Sequence, residues 1–144
     1  MPASTQVDFY ILEAARPGGR LNFACRLSEK AYSLGNAVYA HTASEQDASR
    51  LDELMWTFRQ GSFVPHERQT SGESTAPVSI GTPEACRHEG EVLINLCNNV
   101  PEFATGFVRI AEIVDGTESG KAAGRQRFRQ YREMGLEPET HTIR

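Results

Sequence analysis

The densest chemistry of the chain lies between Glu118 and Met134, where Lys121, Arg125, Arg127, Arg129 and Arg132 stand against two acids, Glu118 and Glu133. The chain as a whole has a formal net charge of −4, so this stretch runs against the overall balance. Read as a helix, Lys121, Arg125, Phe128 and Arg132 follow at i, i+4, i+7 and i+11 and share one face, with Arg127 directed away from it. Guanidinium forks beside an aromatic ring suit a ligand that offers both a carboxylate and an apolar side chain. The fork meets the carboxylate with two parallel hydrogen bonds, and the ring supplies apolar area. The same spacing also serves a solvated amphipathic helix, and periodicity alone does not separate the two.

A second constellation runs from Arg50 to His66. It places the one tryptophan, Trp56, near Phe58 and Phe63, with Pro65-His66 directly after. Such rings either close a helix end inside the core or anchor a protein partner, where Trp offers a large area with few rotatable bonds.

Other chemistries find no pattern. Cys25, Cys86 and Cys97 lack C-x-x-C spacing and cannot all pair, so neither a disulfide framework nor a zinc site is expected. No catalytic role falls to any of them. His41, His66, His88 and His141 are scattered, without an i, i+4 pair to hold a metal from one helix. Pro17-Gly18-Gly19-Arg20 follows the first strand where a dinucleotide fold would carry G-x-G-x-x-G, and no Walker loop, G-x-S-x-G or H-E-x-x-H occurs. No catalytic, cofactor or metal residue is therefore expected.

The elements that must position the two constellations alternate. Val7 to Glu13 reads as a strand, closed by the turn Arg16-Pro17-Gly18-Gly19. Apolar residues at 21, 24, 27, 31 and 34 predict a helix ending before Gly35. Ala37 to Thr42 is a second strand, and Ser44 caps a helix from Glu45 to about Phe58, with Asp47 at the third position. Arg68 to Pro77 reads as an exposed loop. Pro77 to Ile80 starts a short strand, and Glu91 to Leu96 is an apolar run suited to a central one. Phe103 to Val114 is the last long strand, the basic helix follows until Gly135 stops it, and Glu137 to Arg144 adds a short edge strand. This order predicts a Rossmann-like α/β three-layer sandwich with a mostly parallel sheet, built as one domain over residues 1–144.

The mixture of 39% hydrophobic and 24% charged residues supports a packed core. A pI near 5.6 argues against a dedicated nucleic-acid binder. The absence of a long apolar run or leader pattern points to a soluble cytoplasmic protein. Two other functions fit the same fold: a small nucleotide- or phosphate-dependent enzyme, and direct nucleic-acid binding by the basic helix.

Arg50-Leu51-Asp52-Glu53-Leu54-Met55-Trp56 with Ser62-Phe63-Val64-Pro65-His66, and Arg125-Gln126-Arg127-Phe128-Arg129-Gln130-Tyr131-Arg132, resemble the chi subunit family of bacterial DNA polymerase III. Val7 to Leu12, Pro77 to Ile80, Val92 to Leu96 and Phe103 to Phe107 match in order, so the resemblance spans nearly the whole chain. It implies a non-catalytic accessory subunit of the clamp loader with a Rossmann-like fold and no cofactor. It also implies two partners. The psi subunit would bind at Trp56 and Phe63, and the acidic C-terminal tail of single-stranded DNA-binding protein at Val114, Lys121, Arg125, Phe128 and Arg129. In that picture Phe128, Val114 and the stem of Lys121 take the tail's terminal Phe, Arg125 takes the terminal carboxylate, and Lys121 and Arg129 attract the acids upstream. Relatives often carry Tyr where this chain has Phe128.

Overall fold

The computed structural model describes residues 5–13, 19–57, 64–69 and 76–143. Among the described residues, seven strands, β1 (Gln6–Leu12), β2 (Val38–His41), β3 (His66–Arg68), β4 (Val78–Gly81), β5 (Gly90–Asn95), β6 (Phe107–Val114) and β7 (Glu139–Ile143), form one sheet. Three helices of the same residues, α1 (Gly19–Ser33), α2 (Glu45–Thr57) and α3 (Glu118–Glu133), pack on it. The strand order is β3-β4-β2-β5-β6-β1-β7 and every strand pairing within it is parallel. The expected Rossmann-like α/β architecture is present, more uniformly parallel than the sequence predicts.

Period-two alternation along β1 sends Val7 and Phe9 to one face and Tyr10 and Leu12 to the other. The second face packs against α1 and α2 through Phe23, Ala24, Cys25, Ala48, Leu51 and Met55. The first face carries Tyr39, Leu93, Phe107 and Ile110 and is covered by Tyr131 and Phe128 of α3, with Phe103 and Cys86 from the connections. The apolar run of β5 lies between β2 and β6, as a central strand should.

Local signals end the helices as their chemistry requires. The Ser44 hydroxyl accepts from the Asp47 N–H at 3.2 Å, capping α2. Gly135 has φ +86, the left-handed conformation that closes α3, with its N–H donating to the Arg132 carbonyl at 3.0 Å and that of Leu136 to Tyr131 at 3.1 Å.

Some boundaries differ from the sequence reading, and Gly19, read as turn, opens α1. The last long strand begins at Phe107, because Ala104–Gly106 is a 3-10 turn that lets the Phe103 ring stack on His88 (centroids 5.1 Å apart) and meet His41 edge-on. Arg68, read as the start of a loop, ends the three-residue strand β3, too short and too polar to show a period. Phe58, placed at the end of α2 by the sequence, lies outside the described residues. Among the described residues no helix is long and apolar enough to cross a membrane.

Candidate partner-binding site

The sequence of α3 divides it into two faces. Its start is fixed by Thr117, whose hydroxyl accepts from the Gly120 N–H at 3.0 Å, and by Asp115, whose carboxylate accepts from the Thr117 N–H at 2.9 Å. The inner face presents Gly124, Arg127 and Tyr131 to the sheet. At Gly124 the helix comes so close that a Cβ would lie 2.7 Å from Val114 Cγ2. Val114 is only 6% exposed, so it supports the helix from beneath and forms no open surface wall.

Arg127, which the helical spacing directs away from the 121–125–128–132 face, points inward. Its Nε donates to Glu112 at 2.7 Å, and the same carboxylate accepts from the Tyr131 hydroxyl at 2.6 Å and Asn95 Nδ2 at 2.8 Å. Burial pushes the Glu112 carboxyl up, against the opposing pull of Arg127 and of the hydrogen bonds from Tyr131 and Asn95. A buried carboxylate needs such partners because an unpaired one is far costlier than a paired one. Spacing along α3 turns Arg127 off the cationic face but could not reveal its partner, which stands on β6.

The outer face keeps Lys121, Arg125, Arg129 and Arg132 in solvent. Lys121 Nζ has a loose contact with Glu118 at 3.9 Å. Phe128 is half-buried, its ring packed on Phe9 with centroids 5.2 Å apart. The result is a half-buried aromatic ring bordered by exposed cations. Of the five residues expected at this site, four reach the surface together and Val114 lies below them.

The tryptophan constellation resolves the other way from a core assignment. Leu51 and Met55 fill the inner side of α2, while Trp56 is 57% exposed. Its ring lies 4.8 Å from that of His66, whose Nδ1–H donates to the Val64 carbonyl at 2.7 Å and whose Nε2 faces Asp52 at 3.1 Å. The His66 ring thus packs at a tilt against the indole, the two planes 57° apart. Phe63, expected beside Trp56, lies outside the described residues.

The geometry gives little support to the catalytic alternatives. Burial pushes the Cys25 thiol up to about 12 and the Cys97 thiol up to about 11, and raises Cys86, so these sulfurs are held away from the reactive thiolate. Asp115 and Glu118 bring negative charge to the start of α3, where a phosphate would need attraction. Arg20, near that end, already donates to the carbonyls of Ile113, Leu96 and Cys97. A grouping unseen in the sequence joins Asp8, Glu139 and His141, with ligand atoms within 4.8 Å of one another. Asp8 is nonetheless already neutralised: Arg109 donates to it at 3.2 Å and His141 contacts it at 3.0 Å.

Comparison with known proteins identifies the family. The chain matches the family described as DNA polymerase III chi subunit, HolC, over residues 4–139. It is 40% identical over 139 residues to the DNA polymerase III subunit chi of Pseudomonas aeruginosa, covering 96% of this chain and 97% of the relative. Identity to the subunit of the same name is 32% over 120 residues in Escherichia coli, covering 82% of each chain. In Haemophilus influenzae it is 30% over 140 residues, covering 94% of this chain and 96% of the relative. With a family match spanning nearly its whole length, this chain belongs to the DNA polymerase III chi subunits.

Proposed function

We propose that the chain is a non-catalytic tether of the cytoplasmic replicase. One surface would join it to a psi subunit of the clamp loader, and another to the acidic C-terminal tail of single-stranded DNA-binding protein. The observation that carries the tail reading is the division of α3. Arg127 is spent inside on Glu112, while Lys121, Arg125 and Arg129 remain outside around the half-buried Phe128. A tail ending in a carboxylate and an apolar ring would set its ring on Phe128 and its carboxylate on the Arg125 fork, and Lys121 and Arg129 would attract the preceding acids. Each contact is weak alone, and several tails on one assembly raise the effective concentration at coated DNA. The exposed indole of Trp56, packed at a tilt against His66, supports an anchor for psi together with Phe63.

Calorimetric titration with a synthetic tail peptide tests the reading. Saturable binding that disappears when the last residue is removed is expected. Equal binding of the truncated peptide would reduce α3 to diffuse positive charge and end the proposal.

A further inference from the structure

Across the sheet from α3, α1 borders a groove of about 640 Å³ whose floor includes Leu27, Ala31, Val92 and Ala111. Leu34, 68% exposed, extends the apolar surface past the end of α1. Arg26 and Lys30 line one side and Arg109 is also in the lining. Two acids share that lining: Asp8, whose carboxylate is engaged by Arg109 and His141, and Glu29. Cations therefore outnumber acids here, on a protein whose net charge is −4.

We infer that this groove receives a helix of a partner protein, apolar on one face and carrying acids beside that face. Parallel sheets are ordinarily covered by helices on both faces, and beside α1 the strand residues Tyr10 and Val92 are only partly covered. Arg26 and Lys30 stand at i, i+4, about one helical turn apart, and both are exposed. A docked helix with Glu one turn apart would match them in register, while Leu side chains on its apolar face fill the floor. The surface is separate from Trp56 on α2 and from the cations of α3, so it stands or falls independently of the tail and psi readings.

The test uses a fluorescein-labelled synthetic helix of roughly 15 residues, long enough to be helical, with Leu on one face and Glu flanking it. A twin carries Lys in place of every Glu. The expected result is saturable binding of the Glu helix to the full chain and none of the Lys twin. Amide NMR shifts should fall on α1, β5 and β6 and spare α3. The double reversal R26E/K30E should weaken binding about tenfold or more, the effect of roughly one strong charge contact. Both residues are exposed, so circular dichroism should show an unchanged fold, and Arg125→Ala should leave this binding unaltered. Ala31→Trp, filling the floor, should also block the Glu helix. Equal binding of both helices, retention of affinity in R26E/K30E, or shifts confined to α3 would overturn the inference. So would dodecanoate occupying the groove while the Glu helix fails to bind, since the site would then belong to a small amphipathic acid.

Discussion

Arg127 and Glu112 face each other at 2.7 Å with side-chain exposures of 2% and 0%, so the strongest charge contact of α3 is sealed between helix and sheet. Removing one partner strands the other. Arg127→Ala should destabilise the fold by about 3–5 kcal/mol, the range for breaking a buried pair from one side. Replacing both by apolar residues of similar volume should cost far less, because no charge is left behind. Urea unfolding of the single and double variants checks this, and similar midpoints for the wild type and Arg127→Ala would contradict it.

Arg125 should behave oppositely, affecting binding and not folding. Its side chain is in solvent, so Arg125→Ala should melt like the wild type while losing about 2–5 kcal/mol of tail affinity. Arg125→Lys should fall between, because an ammonium keeps the charge and loses the fork. Arg26→Ala, on the opposite face, is the control and should change tail affinity little. Calorimetry with the tail peptide measures all three, and equal losses at Arg125 and Arg26 would remove the specific site.

Trp56→Ala should leave stability within about 0.5 kcal/mol, as for most surface positions, since the ring is 57% exposed. Combined with Phe63→Ala, it should abolish co-purification with a psi subunit. Loss of helical circular dichroism in Trp56→Ala would instead make the indole structural.

Acid stability should depend on Asp8. Burial alone would raise its carboxyl, but hydrogen bonds from His141, Arg109 and Gln6 with the Arg109 charge outweigh it, leaving it below 3.8. A carboxyl lowered in the folded state stabilises above its unfolded value and loses that contribution as pH falls through the folded one. Asp8→Asn should therefore flatten the decline of melting temperature below about pH 4. An unchanged acid limb would show that other carboxylates govern it.

Much of this architecture was readable because local rules decide it. Ser44, Gly135 and the apolar run of β5 each act within a few residues of themselves. The interior of α3 was readable only in part, for the opposite reason: spacing turns Arg127 away from the 121–125–128–132 face but cannot name its partner. Arg127 takes its place from Glu112 on another element, and Val114 is covered because Gly124 lets the helix settle on it, a contact that period counting cannot register. Trp56 was ambiguous for a related cause: a helix end reads alike whether its ring turns toward the sheet or toward solvent, and only the burial of Leu51 and Met55 on the inner side settles it.

The position of β1 between β6 and β7 has a consequence for how the chain is made. Among the described strands the first in chain order pairs with the last two, at Phe107–Val114 and Glu139–Ile143. Until those segments emerge, Val7, Phe9 and Ile11 have no strand neighbour, and closing so long a span of chain is slow. The newly made β1 must therefore wait, apolar and unpaired, until β6 and β7 have been made, and their emergence becomes the event that completes the sheet.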